Sequence, residues 1–142
     1  MDQETLSTVD ASLQRCNRDP RFLDLFYEKL LASSPKVREK FAHTDFVRQK
    51  RALRSSLWMM LLVAEDEEKG PARYLRGLTA IHGSRGLDIG AELYDFWLDS
   101  LLETVAVCDP EHDTKVNAAW ERVMMVGIHY MCTHYHRSSV NG

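Results

Sequence analysis

Three polar residues, Tyr27, Gln49 and His82, fall on helical stripes that are otherwise apolar. Each of these side chains would be costly to bury without a partner. His82 follows Leu75 and Leu78 at helical spacing, so the pattern places an imidazole on an inner helix face, close to the helix end. An imidazole there suits an axial ligand of a metal or haem iron. It equally suits a core histidine that is hydrogen-bonded to a backbone carbonyl.

Tyr27 and Gln49 also have simpler interpretations when each is taken alone. Tyr27 could be a half-buried tyrosine whose hydroxyl reaches solvent. Gln49 could lie at the boundary between the inner and outer faces of its helix. Taken together with His82, the two side chains fit a cavity in which a histidine coordinates a group from one side while a phenol and an amide offer hydrogen bonds from the other.

The elements that position these residues are helices. The chain has 142 residues with only 7 glycines and 4 prolines, and alternating β-branched patterns are hard to find in it. A hydrophobic content of 44% suits one globular domain with a core at this length. We therefore predict a single all-α domain over residues 1–142, with six principal helices and a short one.

Capping residues and helix breakers predict where the helices begin and end. Two Asp-Pro pairs, Asp19-Pro20 and Asp109-Pro110, are predicted to start helices, as is Ser34-Pro35. Thr44 or Asp45 is predicted to cap the long helix that carries Gln49. The predicted helices span about residues 4–16, 20–32, 35–41, 46–65, 71–82, 88–107 and 110–136.

Composition excludes several functional classes. The net charge of −3 shows no nucleic-acid footprint. The longest apolar run, residues 57–64, is too short to span a bilayer, and the first residues lack the basic and apolar regions of a signal peptide. The three cysteines form no C-x-x-C pair and are typical of reduced thiols. We expect a cytoplasmic protein that binds neither nucleic acid nor membrane.

A set of short patterns extends over nearly the whole chain. The chain contains Phe26-Tyr27-x2-Leu30-Leu31-x3-Pro35, Phe41 after a short helix, Gln49-Lys50-x-Ala52-Leu53, Leu78-x3-His82-x3-Gly86 and Ala119-Trp120, in this order. The set resembles the globin family, and most closely bacterial single-domain haemoglobins and the globin domain of flavohaemoglobins. The resemblance implies a globin fold, a three-over-three helical sandwich around haem b.

The resemblance also implies a role for each matched residue. His82 corresponds to the proximal iron ligand, and Tyr27 and Gln49 to the distal hydrogen-bonding pair. Leu53 corresponds to the apolar wall over the iron, and Phe41 to the aromatic ring against the porphyrin edge. A phenol and an amide aimed at dioxygen would stabilise its negative charge at ferrous iron. We expect a five-coordinate ferrous iron that holds oxygen tightly.

Further residues near His82 are expected to contact the cofactor. Leu78 and Leu87 are expected to line its site, and Arg85 to contact a propionate. One departure concerns the proximal side, where flavohaemoglobins place a Tyr and a Glu. Tyr94 is a candidate for the first, but Tyr135 stands near the expected place of the second and no carboxylate does.

Two charged or metal-binding features have alternative interpretations. The basic stretch from Lys36 to Arg54 is most simply a solvated face, although it could bind haem propionates or an acidic redox partner. His129, His134 and His136 do not suit a metal site, because two of them lie only two positions apart on a helix and point to different faces.

The sequence thus predicts a globin that binds haem b and reversibly binds O2, NO and CO, for oxygen binding, storage or sensing. An alternative is an enzyme, a nitric oxide dioxygenase served by a separate reductase, which we consider less favoured. Another is a haem-free helical module that works through protein contacts. The sequence does not distinguish a monomer from a homodimer.

Overall fold

The protein is described here by a computed structural model that covers residues 1–82 and 90–134, with the main chain alone for residues 78–82. These ranges contain seven α-helices and no strand. The helices are α1 (Gln3–Asn17), α2 (Phe22–Ser33), α3 (Pro35–Lys40), α4 (Phe46–Glu65), α5 (Gly70–His82), α6 (Ala91–Cys108) and α7 (Thr114–Thr133). The prediction of an all-α fold is therefore confirmed.

Two helix starts lie where the capping chemistry predicts them. The Ser34 side chain accepts a hydrogen bond from the Lys36 amide at 3.2 Å, with Pro35 as the first helical residue of α3. The Asp45 carboxylate accepts one from the Val47 amide at 3.0 Å and so begins α4. Each cap satisfies a backbone donor that has no partner within the helix.

The first Asp-Pro pair does not begin a helix, contrary to the prediction. Asp19 instead closes a turn, because its carboxylate accepts hydrogen bonds from the Arg21 amide at 2.9 Å and from the Arg21 guanidinium at 2.9 and 3.1 Å. Helix α2 then begins at Phe22 without a side-chain cap. Pro20 thus precedes the helix rather than opening it.

The second Asp-Pro pair also differs from the prediction. Asp109 ends α6, and its carboxylate bonds to side chains of α1 instead of capping the next helix. The cap of α7 is Asp113, which accepts from the Val116 amide at 2.8 Å. Helix α6 begins at Ala91 after the extended residue Gly90, so the predicted start at residue 88 is wrong. Helix α7 ends at Thr133 with His134 as its C-cap, three residues before the predicted end.

The helices pack as three over three. One layer contains α1, α4 and α5, and the other contains α2, α6 and α7. Contacts of α1, α4 and α5 with α7, and of α2 with α4, join the layers. The core between them is formed by fully buried side chains such as Phe26, Leu57, Leu101, Trp120 and Val123. No helix within the described ranges is long and apolar enough to cross a membrane.

Two glycines lie where helices approach closely. A Cβ on Gly70 would collide with the main-chain carbonyl of Val63, so the corner between α4 and α5 requires glycine. A Cβ on Gly127 of α7 would meet the thioether of Met60 on α4, whereas a methyl of Leu75 on α5 is in ordinary van der Waals contact at 3.4 Å. Gly70 thus holds the start of α5, the helix that leads to His82, against α4.

Candidate functional site

Aromatic side chains from three segments meet where α2 faces the start of α4. The Tyr27 ring lies edge-on to Phe41 at 5.9 Å and to Phe46 at 5.4 Å between ring centroids, while Phe41 and Phe46 stack at 6.1 Å. Helix α4 adds Gln49 and Leu53 to the same side of the molecule. We call Tyr27, Phe41, Phe46, Gln49 and Leu53 the distal cluster.

Tyr27 is only 4% exposed, so it is buried and not the half-buried tyrosine of the simpler interpretation. The hydroxyl donates to the main-chain carbonyl of Gln49 at 3.3 Å. Burial raises the pKa of Tyr27 to about 12, and hydrogen bonding to Gln49 acts in the opposite direction. The phenol therefore stays protonated at neutral pH, and its hydrogen bond is longer than the roughly 2.7–2.8 Å usual between oxygens. A donor held so weakly can turn to a better acceptor.

Gln49 and Leu53 lie one turn apart on the inner side of α4. Leu53 is buried, and Gln49 is half-buried. Tyr27 and Gln49, which the sequence predicted as a pair from separate helices, are thus brought into contact. Phe41 lies within reach of Tyr27, as the predicted set requires. Their roles toward a ligand stay predictions.

The main chain of α5 continues to His82, two turns after the buried Leu75. The side chains of Leu78 and His82 lie outside the described residues, and so do Arg85 and Leu87. Their predicted contacts with a cofactor therefore remain predictions.

The chemistry of the distal cluster bears on where a metal ligand could come from. Its polar groups are a protonated phenol and a neutral amide, which donate hydrogen bonds but bind iron poorly. The other three members of the cluster, Phe41, Phe46 and Leu53, have hydrocarbon side chains. The donor set therefore fits one face of a haem site whose iron ligand is supplied from elsewhere, and His82 at the end of α5 is the imidazole that the sequence offers.

Comparison with solved structures gives a close match. Protein PA3967 from Pseudomonas aeruginosa PAO1, described as structurally highly homologous to a human hemoglobin, superposes with a TM-score of 0.85 and is 40% identical, covering 92% of this chain and 98% of that chain. No protein-family profile and no curated protein matches the chain. This chain belongs to the globin family. The predicted globin fold is thereby confirmed.

Sequence reasoning missed a second group of polar residues in this globin. Ser12 donates to the Asp109 carboxylate at 2.6 Å, and Trp120 donates to the Ser12 hydroxyl at 2.8 Å. Arg15 binds both oxygens of Asp109, at 2.6 and 3.0 Å. We call these four residues the buried polar cluster. Only Ser12, a polar residue beside Leu13 on the inner face of α1, hinted at it.

Asp109 is 2% exposed, and both oxygens of its carboxylate accept hydrogen bonds. Burial alone would raise its pKa, but hydrogen bonds from Arg15 and Ser12 and the Arg15 charge lower the pKa below its usual value. The Asp109 charge is thus held by side chains from α1 at the junction of α6 and α7. Since every polar group here has a protein partner, this cluster is structural.

Three further residues that the sequence singled out lie on α6 and near the end of α7. Tyr94 is half-buried in the first turn of α6, where burial raises its pKa, and it lies near Cys132. His129 is exposed, whereas the His134 ring stacks on Tyr130 at 3.9 Å. Among the side chains that the structure describes, those of residues 1–77 and 90–134, no three His, Cys, Asp or Glu residues lie together as a metal site would require.

Proposed function

We propose that this globin binds haem b through His82 and reversibly binds diatomic gases, with O2 as the principal ligand and NO and CO as further ones. The observation that carries the proposal is the buried, protonated and weakly held hydroxyl of Tyr27 beside Gln49. The globin fold and the likeness to PA3967 support it.

Haem b, when bound, supplies a ferrous iron with affinity for diatomic gases. The chain itself provides the surroundings of the ligand. Tyr27 would donate a hydrogen bond to a ligand that carries partial negative charge, and the Gln49 amide would add a second. The buried Leu53 would keep water away from the same space.

One contact also fits the haem-free alternative. The Tyr27 hydroxyl already has a protein acceptor in the Gln49 carbonyl, so a module without cofactor would leave no orphaned phenol there. The two proposals differ in whether the purified protein takes up haem. They also differ in the expected effect of Tyr27→Phe. The haem-binding proposal expects faster gas release, whereas the haem-free alternative expects a change in stability alone.

The test is a haem titration followed by gas binding. The purified protein is titrated with haem, reduced, and exposed in turn to O2, CO and NO while absorption is recorded. We expect saturation at one haem per chain, distinct spectra with each gas, and reversal of the O2 spectrum under nitrogen. A helical protein that does not retain haem would overturn the proposal. Sustained NO consumption with excess reductant would add an enzymatic role, whereas a single stoichiometric burst would not.

A further inference from the structure

Other rings hold the ring of Tyr27 more firmly than its own hydroxyl does. The hydroxyl is fixed weakly, because its hydrogen bond to the Gln49 carbonyl is 3.3 Å long. Among the rings that the structure describes, Phe26, Phe41 and Phe46 lie edge-on to Tyr27, at 5.0, 5.9 and 5.4 Å between centroids. Edge-to-face pairs at such distances are favourable and directional, since a positive ring edge meets a negative ring face. These three contacts therefore set the direction in which the phenol points.

Phe46 differs from the other two rings in what else it does. Phe26 is fully buried in the core next to Tyr27 on α2, and its ring also lies edge-on to Trp97 at 5.9 Å. Phe41 corresponds, by the globin resemblance, to the ring against the porphyrin edge. Phe46 is only half-buried, matches no residue of that set, and stacks on Phe41 at 6.1 Å. Its contact with Tyr27 is thus the one that neither the deep core nor the expected cofactor site requires.

The capped start of α4 fixes where Phe46 lies. Phe46 is the first residue of α4, and the Asp45 carboxylate accepts a hydrogen bond from the Val47 amide at 3.0 Å. The Asp45 carbonyl accepts one from the Gln49 amide, also at 3.0 Å. Phe46 and Gln49 therefore belong to one capped turn. That turn holds Tyr27 at two places, its ring through Phe46 and its hydroxyl through the Gln49 carbonyl.

We propose that Phe46 is a positioning residue, which holds the ring of Tyr27 so that its hydroxyl can donate to a bound gas. This inference rests on the proposed function, because that function gives Tyr27 the role of donor. A phenol free to tilt would be aimed at the ligand for less of the time, so the hydrogen bond would be weaker on average. Phe46 has a hydrocarbon side chain and donates nothing itself. Its effect on a ligand must therefore pass through Tyr27.

The first test follows the Tyr27 phenol in the haem-free protein by NMR with isotope-labelled tyrosine. The Tyr27 signal is identified by its absence in Tyr27→Phe. Burial raises the pKa of Tyr27 to about 12. Phe46→Ala should let water reach the phenolate and so lower this pKa toward about 10. The matched control is Phe96→Ala, which removes a half-buried ring of α6 outside the three rings that meet Tyr27, and it should leave the pKa unchanged.

The second test follows gas binding in the haem-loaded protein. A donor to bound CO weakens the C–O bond, so Phe46→Ala should raise the infrared C–O stretching frequency or split the band. The O2 dissociation rate constant should rise about threefold, as loss of one aromatic contact implies. The double variant Phe46→Ala/Tyr27→Phe should release O2 no faster than Tyr27→Phe alone, because Phe46 acts through Tyr27. Phe96→Ala should change neither the band nor the coupling to Tyr27→Phe.

The outcomes separate a positioning role from a purely structural one. An unchanged pKa of Tyr27 in Phe46→Ala, or an equal change in Phe96→Ala, would overturn the proposal. So would a double variant in which the two effects on O2 release multiply. Phe46→Leu keeps apolar volume without a ring, and it supplies the same comparisons if circular dichroism shows that Phe46→Ala does not fold. If no haem is retained, the titration still decides whether Phe46 holds the phenol, whereas its role toward a ligand fails together with the proposed function.

Discussion

The two polar groups inside this globin differ in how completely the protein itself satisfies them. In the buried polar cluster, Asp109 receives hydrogen bonds from Ser12 and Arg15, and Trp120 completes the group. In the distal cluster, Tyr27 has one long hydrogen bond to a main-chain carbonyl. The polar atoms of the buried polar cluster hydrogen-bond to one another and so join α1 to Asp109 and α7. The distal cluster instead contains a hydroxyl donor that a bound molecule can use.

The difference shows that burial of a polar side chain does not by itself indicate function. Both Asp109 and Tyr27 are nearly inaccessible to solvent. The two residues differ in the number and geometry of their hydrogen bonds. A group whose hydrogen bonds are all made gains little from a new partner, while a weakly bonded donor can exchange its acceptor. The comparison therefore predicts large effects on stability from one cluster and effects on ligand release from the other.

The largest expected effect is that of Asp109→Ala on stability. Removal of the carboxylate leaves the partly buried Arg15 without its main partner and frees the Ser12 hydroxyl, so we expect a loss of about 3 kcal/mol in the free energy of unfolding. Urea denaturation followed by circular dichroism measures it. The control Asp99→Ala, at an exposed position of α6, should change stability by less than about 0.5 kcal/mol. A loss below about 1 kcal/mol for Asp109→Ala would mean that the cluster is not structural.

Tyr27→Phe should change ligand release and leave stability nearly intact. Loss of the hydroxyl removes a hydrogen bond worth about 1.4 kcal/mol to the ligand, so the O2 dissociation rate constant should rise about tenfold. Stopped-flow replacement of O2 by CO measures the rate. Tyr74→Phe serves as the matched control. A stability loss as large as that of Asp109→Ala, with unchanged O2 release, would place Tyr27 among the structural residues.

Gln49→Leu should have a smaller effect on the same rate. Its amide is only half-buried and is the second donor, so we expect an increase of about threefold in O2 dissociation. Because both side chains would donate to the same ligand, the double variant should show less than the product of the two single effects. Full multiplicativity would indicate that the two donors act independently.

The smallest expected effect is that of pH on O2 release. Burial raises the pKa of Tyr27 to about 12, so the phenol is lost as a donor only as the pH rises through that value. The stabilisation of the protonated phenol is fully present below about pH 10, the pKa of an unperturbed tyrosine. The dissociation rate should therefore stay flat between about pH 6 and about pH 9. A rise within that range would show that a group of lower pKa controls release.

The sequence predicted the helices well because local chemistry determines most of them. Ser34 and Asp45 begin α3 and α4 as their capping side chains require. The same reasoning failed at Asp19 and Asp109, since an Asp-Pro pair is equally compatible with a turn or a helix end. Whether such an aspartate caps a helix depends on which donor hydrogen-bonds to its carboxylate. For Asp109 that donor is Arg15, which lies 94 residues away on α1.

The candidate site was predictable to a similar extent. Tyr27, Phe41 and Gln49 could be grouped because each stands out from an apolar helical pattern or matches the globin set. The use of the Gln49 main-chain carbonyl as the acceptor of Tyr27 could not be predicted, since side-chain patterns carry no information on which backbone oxygen faces a hydroxyl. The buried polar cluster could not be predicted either, because its members are distant in sequence and follow no local spacing.

The central proposal, haem held by His82, is tested most directly by absorption spectra of the purified protein and a His82→Ala variant. Each is recorded oxidised, reduced, and reduced with CO, beside His129→Ala as a control at an exposed histidine. We expect a haem band that shifts with CO in the wild type and in His129→Ala, and that is lost or grossly altered in His82→Ala. A folded, helical protein that stays colourless after haem is added, or a His82→Ala variant with an unchanged spectrum, would contradict the proposal.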